Sequence, residues 1–322
     1  MKSPAPRSSG GFAGRRPPEI SGPDTQRGNG PPADSSPAVP TAAELFGDKA
    51  LEQLRCSREL AEVVEELRAC EARIAGRARS MTPDGLLCAY AGIIAGDLSK
   101  AGLTLPDAAY SSAAGLFEAV TSLPFSTRTA GARRKVREAA RFVMLTGNGN
   151  LHVPARVEDL HGLWEQAMCG EPHWSADYPS SAFRTGGVTV RGAWPERALL
   201  HRCMEPCEMP AWLERLIRML ADEGLAPELR AACGLGLHDW IHPFVDGNGH
   251  TGRLLMLSVL DGLYSQPTLV CLAHELVANR STTMRQFARL RNREADAAGF
   301  CLGLLGQLRD AQEHAMSILG AL

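Results

Sequence analysis

Residues 241–255 read IHPFVDGNGHTGRLL. This stretch decides the fold, because it joins two runs that both read as core helices and loads the joint with polar groups a plain connection does not need. Upstream, PELRAACGLGLHDWIH (227–242) opens with a proline, which a first helical turn tolerates, and sets Leu229, Cys233, Leu237 and Ile241 on one stripe. His242 therefore falls at the end of a packed helix. Downstream, TGRLLMLSVLDGL (251–263) is apolar nearly all round, the pattern of a helix buried on every side. PAWLERLIRMLADEG (210–224) supplies another proline-led helix before them.

The joint has the composition of an anion site. Gly247 and Gly249 open backbone angles closed to other residues, so that successive N–H groups can converge into a nest. Asn248 is a favoured cap residue, and the helix it would start presents orphan N–H groups with a partial positive charge. Arg253, one turn further on, can reach a more distant phosphate. Asp246 stands just outside this cradle, where a carboxylate suits Mg²⁺ bridging phosphates. His242, with an ordinary pKa of about 6.5, can be neutral and accept a proton. Taken singly, an Asp–Gly–Asn run is usually a turn and a lone histidine is usually core or surface. Their concentration in one short loop is what points to chemistry.

Working outward, residues 43–78 repeat apolar side chains at three- and four-residue spacing (Leu54, Leu60, Val64, Leu67, Ile74), which predicts amphipathic helix. Further helical patterns lie at about 85–99, 108–122, 131–145 and 157–169. FRTGGVTVRGAW (183–194) breaks the pattern: Val188, Thr189 and Val190 are β-branched and bounded by Gly186, Gly187 and Gly192, so a short hairpin is expected there. Such a hairpin serves either as a connector or as an edge that pairs with an extended segment of another protein. The first 40 or so residues are rich in Pro, Gly, Ser and Arg and cannot bury enough surface to offset ordering entropy. They read as a disordered tail, serving as a plain flexible terminus or as an export signal of the unstructured kind that bacterial effectors carry.

Composition bounds the remaining possibilities. With 322 residues, 44% of them hydrophobic, the chain can bury a large core. A formal charge of −2 and a pI near 6.5 provide no general attraction to nucleic acid or to an anionic membrane, so neither is an expected partner. The longest apolar run, GLLCAYAGIIAG (85–96), is too short to span a bilayer. Nine scattered cysteines, an odd number, suit reduced thiols in a cytosol. His201, Cys203 and Cys207 hint at a metal, but the second half of a four-ligand zinc site is missing, and buried thiols beside a surface histidine are preferred.

HPFVDGNGHTGR resembles the signature of the Fic (filamentation induced by cAMP) family: His-Pro-Phe, any residue, Asp or Glu, Gly-Asn-Gly-Arg, two residues, Arg. His242, Pro243, Phe244, Asp246, Gly247, Asn248, Gly249 and Arg253 agree with it. FRTGGVTVRG is similar to the family's "YR" segment and target-positioning flap, VEDLHGLW (157–164) to its preceding helix, and residues 281–300 to its trailing helices. The resemblance implies an all-α helical bundle with a short β-hairpin flap. It covers about residues 157–305, with a looser helical fit from 85, and implies a catalytic domain over 85–322; composition and periodicity set apart a tail (1–41) and a helical N-terminal extension (42–84) before it.

The resemblance further implies transfer of a nucleoside monophosphate, usually AMP from ATP, to a Ser, Thr or Tyr hydroxyl of a target protein. By position, His242 would deprotonate that hydroxyl and Asp246 would hold Mg²⁺. Backbone amides at Gly247, Asn248 and Gly249 would hold the α- and β-phosphates, Arg253 would contact the γ-phosphate, and Thr185, Val188 and Val190 would line the flap. His250 replaces the family's first arginine, with shorter reach and a charge that titrates. That departure leaves open a weaker ATP enzyme, another donor such as UTP or CDP-choline, or a silent module that only binds. The family's inhibitory Ser/Thr-x₃-Glu-Gly/Asn motif is absent, so restraint by a separate antitoxin or by export to a host target is expected. The cytoplasm of a producing bacterium is the expected location, with delivery into a host cell as the alternative.

Overall fold

In the computed structural model, the described residues are 40–79, 91–96, 98–99, 102–122, 151–169, 182–191 and 200–321, with five more positions between 137 and 145. Most of the expected tail therefore lies outside the described residues, as does most of the helix expected at 131–145.

The helical pattern of the N-terminal segment resolves into three helices, where the sequence pattern had suggested one run. α1 (Ala42–Phe46) starts on a capping box, in which the Thr41 side chain accepts from the Glu44 N–H while the Glu44 carboxylate accepts from the Thr41 N–H. Gly47 ends α1 and leads into α2 (Asp48–Cys56), and Ser57 then caps α3 (Arg58–Ala78) through its hydroxyl. The pattern at 108–122 begins as a single 3₁₀ turn (Asp107–Tyr110) before α4 (Ala113–Thr121), because Ser112 caps a fresh helix by accepting from the Gly115 N–H.

α5 (Asp159–Met168) precedes a small antiparallel sheet of β1 (Thr189–Arg191) and β2 (Leu200–Arg202), in the register Thr189 to Arg202, Val190 to His201 and Arg191 to Leu200. The hairpin is thus present, but its returning strand lies beyond the 183–194 window. The segment that joins the two strands lies outside the described residues.

The rest is helical: α6 (Met209–Leu220), α7 (Pro227–Ile241), α8 (Asn248–Leu260), α9 (Gln266–Ala278), α10 (Arg280–Arg291) and α11 (Ala297–Ala321). α7 and α8 pack along each other at the centre, with α5, α6, α9 and α11 around them. All but Gly249 of α8 is buried, as its apolar pattern requires. α7 is buried on nearly every side, well beyond the single stripe read from its sequence. α1 to α3 contribute Phe46, Leu54, Leu60, Leu67 and Ile74 to that same core. A smaller cluster gathers Ala91, Ile94, Leu98, Leu116 and Val120 against Val270 of α9. Among the described residues no helix is long and apolar enough to cross a membrane.

Close helix packing requires glycine at position 236. A Cβ placed there would lie 2.7 Å from Phe300 Cε1 and 3.0 Å from Phe46 Cζ, both ring atoms of buried side chains with little room to shift. Gly76 in α3 has nothing within 4 Å of such an atom. Helix propensity favours alanine over glycine by about 1 kcal/mol at either place, whereas overpacking costs about 1–3 kcal/mol. Gly236→Ala is therefore expected to destabilise the fold and Gly76→Ala to stabilise it, read as opposite shifts in the midpoint of urea unfolding. Stabilisation by Gly236→Ala would show that the rings yield freely.

Candidate active site

The loop between α7 and α8 is held closed by one side chain. Asn248 Oδ1 accepts from the Phe244 N–H at 2.9 Å, and Asn248 Nδ2 donates to the Phe244 carbonyl at 2.8 Å. The structure corrects the capping role read from the sequence. Gly247, at φ 82°, is the N-cap of α8, and Asn248 is its first helical residue, with its side chain turned back to pin Phe244. Only glycine suits position 247, since a Cβ would also meet Met168 Sδ at 2.6 Å and Trp164 Nε1 at 2.7 Å. Thr251 then locks the first turn, its N–H and hydroxyl both donating to the Gly247 carbonyl.

Phe244 anchors the loop in the core. Its ring stands 5.4 Å from Phe183, 5.9 Å from Trp164 and 6.1 Å from the His238 ring. Phe183 and Phe244 also form an isolated antiparallel bridge, with the Arg184 N–H donating to the Pro243 carbonyl at 2.8 Å. The segment leading into the flap is thus stitched directly to the motif loop.

Arg184 completes that connection. Its side chain is 3% exposed, and the guanidinium donates to the carbonyls of His242 (2.7 Å), Ile241 (3.0 Å), Gly186 (2.8 Å) and Met204. Carbonyls at a helix C-terminus have no partner within the helix and carry partial negative charge, so a planar cation satisfies both needs. Sequence reasoning quoted Arg184 inside the flap-like segment without giving it a role. An arginine next to a strand signal, near no acidic residue, was the available clue.

His242 sits in the left-handed region, at φ 53° and ψ 59°, as the C-cap of α7. A β-carbon there costs roughly 1 kcal/mol or more, which the clamp on its carbonyl offsets. Its side chain is half-buried. Burial pushes its pKa below the ordinary histidine value, aided by the Arg184 and Arg291 charges and opposed by Asp239 through both its carboxylate and a backbone hydrogen bond. The imidazole is therefore neutral at neutral pH, the form a general base requires.

Asp246 is exposed, with Oδ1 accepting from the Gly247 N–H at 2.7 Å and its backbone carbonyl accepting from Trp164 Nε1 at 2.8 Å. Trp164 is a second residue whose part the sequence did not reveal. Arg253 is 5% exposed and folds back on the first turn, with Nη1 3.3 Å from where a Cβ of Gly249 would stand. His250 is also 5% exposed, so it is enclosed within the first turn of α8. Of the flap residues, Thr185 is exposed, Val188 is half-buried and accepts from the Cys203 N–H at 2.9 Å, and Val190 is half-buried and pairs with His201. Cys203 is buried and Cys207 exposed. Among the described residues no group of three His, Cys, Asp or Glu side chains is placed to hold a metal ion.

His238, one turn before His242, is fully buried, and neither ring nitrogen has a hydrogen-bond partner. Burial, with a small contribution from His242, depresses its pKa to about 3. A histidine whose folded pKa lies below its unfolded value contributes stability that is complete above about pH 6.5 and is lost as pH falls toward the folded pKa. Between pH 7 and pH 5 this group alone removes about 2 kcal/mol. His238→Leu should shrink the difference between urea unfolding free energies measured at those two pH values by about that amount. An unchanged difference would refute a neutral His238.

Arg184→Met is expected to lower stability by at least about 3 kcal/mol, since several buried carbonyls lose their donor at once. The check is again the urea midpoint; a loss below about 0.5 kcal/mol would mean that water replaces the guanidinium.

Three comparisons with known proteins bear on this arrangement. No curated protein matches the chain. The fold is similar to that of a Fic family protein from Desulfovibrio desulfuricans G20, with a TM-score of 0.53 and 22% identity over 79% of this chain and 74% of that one. A Fic domain containing signaling protein from Bacteroides thetaiotaomicron VPI-5482 aligns over 79% of this chain and 97% of its own, with 17% identity and a TM-score of 0.44. The Fic/DOC family model matches residues 154–260, a span that runs from just before α5 through the hairpin and the clamped loop to the end of α8.

Proposed function

We propose that the chain transfers a nucleoside monophosphate, AMP from ATP in the first instance, to a hydroxyl of a target protein. The observation that carries this reading is the clamped loop, which places a neutral His242 and the Gly247-capped N-terminus of α8 five residues apart on a rigid frame. In the proposed step His242 takes the proton of the target hydroxyl as its oxygen attacks the α-phosphorus. The bond to the bridging oxygen breaks, and pyrophosphate leaves. Backbone N–H groups at the start of α8, aided by the helix dipole and Arg253, stabilise charge on the phosphates. The flap holds the target backbone beside His242 by strand addition.

The donor set around Asp246 fits Mg²⁺. One exposed carboxylate, with no cluster of further protein ligands among the described residues, suits a hard cation that is usually held by one or two carboxylates, substrate phosphates and water. When bound, Mg²⁺ neutralises phosphate charge. Asp246 would hold it by exchanging its bond to the Gly247 N–H for the metal, which frees that N–H for a phosphate oxygen.

A second reading concerns the donor, and His250 favours it. The side chain standing where the family has arginine is an enclosed imidazole, shorter than arginine and without its fork of donors. Incubation of the full chain with Mg²⁺ and each of labelled ATP, GTP, CTP and UTP, with and without cell lysate, decides both activity and donor. Label on protein from ATP is expected. Label from another nucleotide alone would replace the AMP reading, and no label from any would reduce the domain to a binding module. His242→Ala should lower transfer by about 10²- to 10⁴-fold with nucleotide binding retained, and Asp246→Ala should abolish the Mg²⁺ response. Wild-type turnover in a folded His242→Ala protein would remove His242 from the mechanism.

A further inference from the structure

Arg291, the last residue of α10, lies over two aromatic rings, its Cζ 5.6 Å from the centre of the Trp240 ring and 5.9 Å from that of Phe287. Aromatic faces hold a planar guanidinium while its N–H donors point outward along the edges, free to meet an acceptor. Here they meet none. Among the described residues the Arg291 side chain makes no hydrogen bond and no ion pair, and its Nε is shut off from solvent without an acceptor. Asp239 is near enough to favour the charged form but makes no ion pair with Arg291. The contrast with Arg184, whose guanidinium is saturated by four carbonyls, separates a structural cation from one left waiting. A half-buried charge without an acceptor is costly, and the cost is recovered when an anion docks.

Two observations indicate which anion. Arg291 stacks on Trp240, two residues before His242, and its charge bears on both His242 and Cys203. Cys203 directly follows β2, and its N–H bonds the Val188 carbonyl, so Arg291 stands where the flap meets the base. The start of α8, by contrast, already has its own cation in Arg253, folded against Gly249. The charges of a nucleotide are thereby provided for without Arg291.

We propose that Arg291 is a specificity residue for the acceptor: it receives the carboxylate of an acidic residue in the target segment lying along the flap, close to the hydroxyl that faces His242. A bidentate pair between a stacked guanidinium and a carboxylate would fix the segment's register, while backbone pairing with the flap sets only its direction. The inference rests on the transferase reading.

The test uses the full chain and a set of nine-residue peptides, each with a central Tyr, Ser or Thr and a single Glu moved through the other positions of a Gln-rich parent. Binding without nucleotide is followed by fluorescence anisotropy, and transfer by label from ATP with Mg²⁺. Wild type should bind peptides with Glu at one or two positions about tenfold more tightly than the parent. Arg291→Gln should erase the preference and leave ATP affinity unchanged. Arg291→Lys, which keeps charge but loses the fork, should retain part of it. Thermal unfolding of both variants confirms that the fold survives; if Arg291→Gln does not fold, the lysine variant decides by showing a reduced or an undiminished preference. No preference for Glu at any position, or a preference unchanged in the folded variants, overturns the inference. Loss of ATP affinity in Arg291→Gln with no change in peptide preference also overturns it and assigns Arg291 to the nucleotide. Glu preference without transfer would sink the transferase reading alone, and transfer without Glu preference would sink this inference alone.

Discussion

The site depends on what happens to the carbonyl end of α7. A helix that stops inside a core leaves its last carbonyls without partners, and this one stops with His242 in a conformation that a β-carbon disfavours. The Arg184 guanidinium resolves both problems by taking the Ile241 and His242 carbonyls together, while its remaining bonds reach Gly186 and Met204. One side chain thereby ties the helix end, the approach to β1 and the segment after β2 into a single unit. Without it the candidate base would sit on a frayed terminus, and the flap would have no fixed relation to it.

The other side of the loop follows the same logic with neutral groups. Asn248 satisfies both backbone groups of Phe244, Trp164 takes the Asp246 carbonyl, and Thr251 doubles the first hydrogen bond of α8. These contacts fix the backbone of the loop from Phe244 to the first turn of α8. Rigidity here has a chemical purpose, because donors aimed at developing charge contribute most when they need not reorganise.

Buried polar groups at the two ends of α7 show how position determines their chemistry. Near its start, Glu228 is buried but accepts from Arg68 through two nitrogens and from the Tyr264 hydroxyl, an arrangement that satisfies a charge and holds α3 to the central pair. Near its end, His238 is buried with no partner and is kept neutral, and His242 is only partly enclosed and flanked by charges. The first is structural, the second is a liability of acid pH, and the third is the proposed base.

The sequence by itself determined the helical class, the central pair of helices and the polar loop between them, because those features follow from local spacing: apolar periodicity for α7 and α8, and glycines flanking an asparagine for a tight turn at a helix start. It also located β1, since β-branched residues between glycines have few alternatives. Tertiary structure alone decided which side chains would hold the loop. Asn248 looks like a cap in any one-dimensional reading, and only the packing of Phe244 against Phe183 and Trp164 brings its backbone within reach of the amide. Arg184 reaches His242 across 58 positions, Trp164 reaches Asp246 across 82, and Arg291 bears on His242 across 49. The position of β2 was hidden for a related reason: a three-residue strand has too short a pattern to announce itself and exists because β1 is there to pair with. Spacing along the chain encodes which faces are apolar, whereas the partner of a buried cation or amide is settled only when distant segments meet and each polar group must find an acceptor or donor.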